Sequence, residues 1–146
     1  MNMTNQASVE FPSNSCNEAF ARAVAAAFAS QLDPTLEELA DVKTAVSEAV
    51  TNCIVHAYPD RIGMIRMELS ICDPRTLELV IEDRGVGIPD VDQARQPMYS
   101  TGGEERSGMG FTIMERFMSE LEVESRPGQG TRVRMRRSLG AEEFDL

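Results

Sequence analysis

The chain has 146 residues, 42% of them hydrophobic and 26% charged, which is typical of one globular domain long enough to bury its own core. Its formal net charge of −10 would repel a phosphate backbone, which argues against direct nucleic-acid binding. No apolar run is long enough to span a membrane, and the polar first residues lack the features of a secretory signal. The three cysteines show no C-x-x-C spacing, so we expect free thiols in the cytoplasm.

The first elements are a short edge strand over residues 8–12 and a helix that Asn14 or Ser15 caps and that runs to about Gln31. The helical spacing predicts an apolar stripe made of Phe20, Val24, Ala27 and Phe28. Arg22 falls off this stripe. Such an arginine is usually solvated, and a contact with a partner is the alternative.

A second helix is predicted from the start signal Asp33-Pro34-Thr35 to about Ala57. Its apolar residues recur at helical spacing and predict one broad buried side: Leu39, Val42, Val46, Ala49, Val50, Cys53 and Ile54. Glu48 and Asn52 are four residues apart and therefore lie one above the other on one face. Polar groups beside a packed face are costly unless something uses them, although E-x-x-x-N alone is more often an ordinary helix edge.

Four stretches alternate between apolar and polar side chains and predict strands: residues 65–71, 77–82, 121–124 and 131–136. The arginines of the last stretch are typical of a solvated strand face rather than of a DNA contact. Helices and paired strands are segregated along the chain, so we predict a single α/β domain. It is a two-layer sandwich with a mixed, mainly antiparallel sheet and helices on one face. The ends, residues 1–7 and 138–146, are expected to be frayed.

Two glycine motifs and a segment between them carry candidate chemistry. Asp83-x-Gly85-x-Gly87 ends a strand, where missing Cβ atoms admit a flat ligand and a carboxylate can accept a hydrogen bond from an exocyclic amine. Gly108-x-Gly110 opens a third helix, whose first N–H groups and dipole favour phosphate. Taken singly, an exposed turn and a glycine cap explain these motifs as well. Residues 89–107 lack a sustained period, which favours a functional lid.

The order of these features is more specific than any one of them. It resembles the ATP-binding (GHKL or Bergerat) fold of gyrase-type ATPases, heat-shock chaperones, histidine kinases and mismatch-repair ATPases. Gly130-Thr131-x-Val133 resembles the closing box of that family near the nucleotide base. Residues 47–52, 94–97 and 105–115 narrow the resemblance to the anti-sigma F factors of spore-forming bacteria, and it covers about residues 8–137.

This resemblance implies an anti-sigma factor that binds a sporulation sigma factor of the sigma F type. It also implies a kinase that uses ATP to phosphorylate a serine on an anti-anti-sigma factor, and a homodimer. By position, Glu48 is the implied general base and Asn52 the implied Mg²⁺ ligand through its side-chain oxygen. Arg106 is implied to reach the γ-phosphate and to stabilise charge in the transition state. Arg22 occupies the position with which the family holds its sigma factor.

Contacts with ATP or ADP are implied for a wider set: Asn52, Asp83, Gly85, Gly87, Thr101, Gly108, Gly110 and Thr131. Asp83 is the implied reader of adenine, and the glycines after it make room for the base. Relatives often carry a lysine after the paired hydroxyl residues of the lid, whereas this chain reads Ser100-Thr101-Gly102-Gly103.

Three other functions stay open. A sigma-binding module could hold nucleotide without phosphoryl transfer, but binding alone needs neither Glu48 nor Arg106. A histidine kinase would have to use the one histidine, His56, which lies in the nucleotide-binding helix rather than on a separate dimerisation helix. We therefore give His56 a structural or nucleotide-adjacent role. A related kinase that controls a general-stress sigma factor is the third alternative.

Overall fold

The computed structural model describes residues 2–96 and 110–140. Its elements, in chain order, are β1 (Met3–Pro12), α1 (Asn17–Ala29), a 3-10 turn (Ser30–Leu32), α2 (Leu36–Asn52), a π-helical turn (Cys53–Ala57), β2 (Met64–Cys72), β3 (Thr76–Asp83), α3 (Val91–Ala94), α4 (Gly110–Phe117), β4 (Glu120–Arg126) and β5 (Gly130–Ser138). The strands and the three longer helices follow one another in the order that the sequence predicts. Within the described ranges, no helix is long and apolar enough to cross a membrane.

The five strands form one sheet in the order β1-β2-β3-β5-β4. Every neighbouring pair is antiparallel, so the sheet is antiparallel throughout rather than mixed. The helices pack on one face of this sheet, and the predicted α/β two-layer architecture is confirmed. The alternation of the strands explains the arrangement, because one set of side chains faces the helices and the other faces solvent.

The core lies between the sheet and α2. Fully buried strand side chains that face the helices are Ile65, Met67, Leu69, Leu77, Leu79, Ile81 and Met135. The predicted buried side of α2 is confirmed at Val42, Val46, Ala49, Val50 and Cys53, while Leu39 and Ile54 are partly buried against the same core.

The predicted apolar stripe of α1 is correct at Val24 and Phe28, which are partly buried against the core, and wrong at Phe20 and Ala27, which are exposed. The residues that α1 buries are Ala21, Ala25 and Ala29, whereas Phe20 is 46% exposed. A row of alanines four residues apart lets the helix backbone approach its neighbours closely, and a hydrophobicity ranking that places phenylalanine inside misses this. The Phe20 ring instead packs edge-to-face on Phe11, with 5.9 Å between ring centroids.

β1 and β5 extend beyond the predicted strands. β1 begins at Met3 rather than at residue 8, and Asn5 and Ala7 pair with Ile71 and Leu69 of β2. These first residues are polar or small and mostly exposed, so no apolar alternation marks them as a strand. At the other end β5 continues to Ser138, and residues 141–146 lie outside the described part of the chain.

Arg132, Arg134 and Arg136 of β5 lie on the solvent face of the sheet, as predicted, whereas Arg137 faces the helices and pairs with Asp41 of α2 at 2.6 Å. Arg132 pairs with Glu82, while Arg134 and Arg136 share Glu78. Each guanidinium also has a glutamate of β4 as a second partner. This face is therefore a ladder of opposite charges across neighbouring strands, a typical way to solvate a sheet.

Candidate nucleotide site

The helix that carries the candidate residues begins with a capping box. The Thr35 hydroxyl accepts a hydrogen bond from the Glu38 N–H (3.0 Å), and the Glu38 carboxylate accepts one from the Thr35 N–H (2.9 Å). This satisfies two backbone donors that would otherwise lack a partner at the helix start. The predicted single helix to Ala57 is instead α2 followed by the π turn of residues Cys53–Ala57. Such π turns occur frequently at functional sites.

Glu48 and Asn52 meet the start of α4 at Gly110. A Cβ atom placed on Gly110 would lie 3.3 Å from both side-chain polar atoms of Asn52 and 3.5 Å from Oε1 of Glu48. The absence of a side chain at this position therefore keeps the space between the two polar groups and the helix start open. The structure thus brings Glu48, Asn52 and Gly110 together. Glu48 and Asn52 share one face of α2, as predicted.

This group of side chains fits a hard cation bound together with phosphate. Asn52 and Glu48 offer oxygen atoms, the ligand type that Mg²⁺ prefers. No cluster of three or more His, Cys, Asp or Glu side chains able to hold a metal exists within residues 2–96 and 110–140. A Mg²⁺ ion at Asn52 would therefore need oxygens from phosphates and water, which is how Mg²⁺ commonly binds in nucleotide sites.

Asp83 ends β3 with a buried carboxylate that is 8% exposed. Its Oδ1 accepts hydrogen bonds from the N–H groups of Gly85 (2.9 Å) and Thr131 (3.2 Å), whereas Oδ2 contacts the Cys53 thiol at 3.4 Å. Burial raises the pKa of Asp83, and these hydrogen bonds oppose the rise. Because Oδ2 has one weak donor, it is the oxygen that retains capacity to accept a hydrogen bond from a ligand.

Gly85 and Gly87 are required by contacts within the protein. A Cβ on Gly85 would lie 2.2 Å from the Ala57 carbonyl oxygen, and one on Gly87 would lie 2.0 Å from the Arg126 carbonyl oxygen. Gly87 also has a φ of +79°, which side chains with a Cβ rarely adopt. The glycines thus let the loop after β3 pack against the π turn and the end of β4. Their predicted contacts with nucleotide stay a prediction.

Tyr58 supports this loop and was missed in the sequence analysis. Its hydroxyl donates to the Met64 carbonyl (2.7 Å) and accepts from the Arg84 N–H (2.7 Å), and burial raises its pKa. Gly63 leaves room for the ring, since a Cβ there would lie 2.3 Å from Cε1 of Tyr58. Tyr58 therefore fixes the chain immediately after Asp83. The sequence holds only a weak signal for this, an aromatic residue where a helix ends.

Thr131 is the residue predicted to lie near the nucleotide base. Its N–H donates a hydrogen bond to Asp83, and its hydroxyl contacts the hydroxyl of Ser125. The Thr131 and Ser125 hydroxyl oxygens are 2.8 Å apart. Ser125 was also missed, because nothing in a strand that alternates in polarity distinguishes it from a solvated serine. Arg106, Thr101 and Gly108 lie outside the described residues, as does the Ser100-Thr101-Gly102-Gly103 stretch.

Arg22 lies on α1. Its Nε atom forms an ion pair with Glu18 at 2.8 Å, and its side chain is 40% exposed. Glu18 also accepts a hydrogen bond from the Ser47 hydroxyl, and Ser47 immediately precedes Glu48. Arg22 is therefore joined through Glu18 to the helix that carries the candidate base, although it is not part of the candidate nucleotide site.

A family model described as a histidine kinase-like ATPase domain matches residues 11–137. An anti-sigma F factor from Caldanaerobacter subterraneus subsp. tengcongensis is 57% identical over 142 residues, covering 96% of this chain and 98% of the relative. The anti-sigma F factor from Clostridium kluyveri is 56% identical over 134 residues, with 91% and 94% covered. The one from Heyndrickxia coagulans is 49% identical over 141 residues, with 94% and 95% covered.

Solved structures share the fold at low identity. The RsbU and RsbW domains of a Mycobacterium tuberculosis protein superpose with a TM-score of 0.71 at 17% identity, covering 98% of this chain and 35% of that one. The histidine kinase domain of the Erythrobacter litoralis EL346 blue-light activated histidine kinase gives 0.57 at 24% identity, covering 84% and 60%. Fold and family model together define the class, a GHKL-type histidine kinase-like ATPase domain. Within that class, the chain belongs to the anti-sigma F factor family.

Proposed function

We propose that this chain is a cytoplasmic, dimeric anti-sigma factor that binds a sigma factor of the sigma F type. We propose further that it uses Mg-ATP to phosphorylate a serine on an anti-anti-sigma factor. The meeting of Glu48 and Asn52 at Gly110 carries the kinase part of this proposal. The sigma partner rests on the names of relatives that match this chain over nearly its whole length.

Different residues would act at the phosphate end and at the adenine end of the proposed site. Bound Mg-ATP would supply the phosphoryl group and the charge neutralisation that its transfer needs. Asn52 would offer its side-chain oxygen to the cation, and the N–H groups at the start of α4 would bind phosphate oxygens. Asp83 would accept a hydrogen bond from the adenine amine at Oδ2.

Glu48 would accept the proton of the substrate serine hydroxyl as that oxygen attacks. General-base catalysis of this kind typically contributes about 10²–10⁴-fold in rate. Glu48 is half-buried and faces the start of α4 beside Asn52, which is where a base must lie to serve a hydroxyl that attacks a phosphate bound there. Arg106 and Thr101 are proposed to contact phosphate from the lid.

The kinase proposal is tested by mixing the protein with Mg-ATP and its anti-anti-sigma factor and measuring phosphoserine on that partner. We expect Glu48→Gln to lower the rate by about 10²-fold or more. Glu37→Gln, which removes an exposed carboxylate from the first turn of the same helix, should leave it unchanged. If wild type binds nucleotide and sigma factor but transfers no phosphate, the chain is a binding module. Normal transfer by Glu48→Gln would show that Glu48 is not the base.

The sigma partner is tested separately with Arg22→Ala. The Arg22 side chain on α1 is 40% exposed and is not among the residues of the candidate nucleotide site, so its loss should weaken binding of the sigma factor while phosphorylation continues. Binding should be measured for a sigma F-type and for a general-stress sigma factor. Preference for the general-stress factor would replace the sigma F assignment, and unchanged binding by Arg22→Ala would remove Arg22 from the interface.

A further inference from the structure

Ser125 of β4 makes three polar contacts with a single hydroxyl group. Its Oγ atom lies 2.7 Å from the Ile88 nitrogen, 3.0 Å from the Gly130 carbonyl oxygen and 2.8 Å from the Thr131 hydroxyl oxygen. These partners belong to the loop after β3, the start of β5 and the residue beside Asp83. Ser125 therefore lies where the three segments around the proposed adenine end of the site meet.

The chemistry of the partners favours one direction for each hydrogen bond. A serine hydroxyl has one hydrogen to donate and two lone pairs that accept. The Ile88 N–H can only donate, and the Gly130 carbonyl can only accept. All the groups are satisfied when Ser125 donates to Gly130 and the Thr131 hydroxyl donates to Ser125. In the reverse arrangement, the carbonyl of buried Gly130 loses this donor.

This direction leaves Thr131 with no hydrogen to offer a ligand. Its hydroxyl oxygen can then only accept, and the neighbouring Asp83 carboxylate, joined to the Thr131 N–H at 3.2 Å, is also an acceptor. Resting on the proposed nucleotide site, we infer that Ser125 is a positioning residue for base specificity. It holds Thr131 as an acceptor, so that the adenine end presents two acceptors and selects a purine with an amino group at position 6.

A 6-oxo purine would meet this arrangement with an acceptor of its own. Hypoxanthine and guanine carry a carbonyl oxygen where adenine carries the amino group, so two protein acceptors would face a third. A site built to hydrogen-bond one group of a ligand strongly rejects an analogue that lacks this group or carries an acceptor in place of a donor, because the buried groups of the protein then stay unpaired. A Thr131 hydroxyl released from Ser125 could rotate and donate to the 6-oxo group, which would relax the discrimination.

The test compares dissociation constants of ATP and inosine triphosphate for wild type and Ser125→Ala, by equilibrium titration of the full chain. We expect the preference for ATP to fall about fivefold in Ser125→Ala, the effect of one hydrogen bond. Ser138→Ala, a serine that is exposed at the far end of β5, should keep the wild-type preference. A merely structural Ser125 would change stability and leave the preference as it is, and that result overturns the inference.

Thr131→Val provides a second route if Ser125→Ala does not fold. Valine keeps the shape of threonine but removes the acceptor, so ATP should bind about fivefold more weakly while inosine triphosphate binds as in wild type or better. Equal weakening of both nucleotides would overturn the assigned direction of the hydrogen bond. Wild type that binds neither nucleotide would overturn the proposed function itself. Wild type that binds both equally would overturn the inference and the proposed adenine contact of Asp83, and would leave the kinase proposal standing.

Discussion

The Cys53 thiol lies 3.4 Å from Oδ2 of Asp83, so the π turn after α2 contacts the carboxylate that ends β3. Burial, and then the neighbouring carboxylate, raises the pKa of Cys53 well above its ordinary value. The thiol therefore stays protonated at neutral pH and acts as a donor to Asp83. This contact links the helix that carries Glu48 and Asn52 to the residue proposed to read the base.

The burial of Cys53 predicts how the thiols react. All three cysteines are free; Cys16 is exposed, whereas Cys53 and Cys72 are buried. A charged aromatic disulfide reagent should therefore label one thiol rapidly in the native protein and all three in denaturant, because it cannot reach a thiol that is buried in the folded chain. Cys16→Ser should abolish the rapid phase. Rapid labelling that persists in Cys16→Ser would contradict the buried position of Cys53 and Cys72.

Asp83→Asn should separate folding from base recognition. The asparagine oxygen can still accept from the N–H groups of Gly85 and Thr131, while its amide would place a donor where the adenine amine needs an acceptor. We expect nucleotide affinity to fall about tenfold or more, since a buried donor would be left facing another donor. The folded population should stay intact by circular dichroism. Unchanged nucleotide affinity would remove Asp83 from the site.

The same substitution has an expected pH dependence. Burial raises the pKa of Asp83 in the folded state, so the folded protein holds this proton more tightly than the unfolded chain does. The contribution of Asp83 to the unfolding free energy therefore falls as pH rises from about 4 through the folded-state pKa, and is constant above it. Urea denaturation across that range should show Asp83→Asn gaining stability relative to wild type with rising pH. Asp60→Asn, which replaces an exposed carboxylate, is the control.

Local spacing was enough to predict part of the candidate site. Glu48 and Asn52 share a face because four residues make about one helical turn, and the buried side of α2 follows from the same period. Gly110 at the start of α4 was identified by its motif and indeed lies against both side chains. The fold class followed from the order of elements, since strands and helices segregate along the chain.

Contacts between distant segments were not predictable in this way. The hydrogen bond from Arg84 to Tyr58 joins residues 26 apart, and the one from Ile88 to Ser125 joins residues 37 apart. No periodicity relates such positions, so the contacts that hold the loop after β3 became visible only in the fold. The errors at Phe20 and Ala27 of α1 have a different cause, because close packing of the alanines decided which residues of the helix are buried most deeply.

Gly87 and Gly128 form a matched pair for measuring the close approach of the loop after β3. Their φ angles are +79° and +77°, so alanine meets the same backbone cost of about 1–2 kcal/mol at both. A Cβ on Gly128 meets no atom within 4 Å, whereas one on Gly87 would lie 2.0 Å from the Arg126 carbonyl oxygen. Gly87→Ala should therefore lose about 1–3 kcal/mol more unfolding free energy than Gly128→Ala. Equal losses in urea denaturation would show that the loop can move away from β4.

Glu18 joins the surface of Arg22 to α2, and its two contacts should contribute unequally to stability. The ion pair with Arg22 is an i,i+4 pair whose arginine is 40% exposed, so solvent screens it and Glu18→Gln should cost about 0.5 kcal/mol or less. Glutamine can still accept from the Ser47 hydroxyl.

Ser47→Ala removes that second contact, and it should cost about 1 kcal/mol because the hydroxyl bonds a partly buried carboxylate across two helices. Raising the salt concentration should diminish the effect of Glu18→Gln and leave that of Ser47→Ala, since only the former depends on an exposed ion pair. A double-mutant cycle with Glu18→Ala and Ser47→Ala, measured by urea denaturation, should give a coupling energy of about 1 kcal/mol. A coupling energy near zero would mean that the contact does not join α1 to the helix of Glu48 in solution.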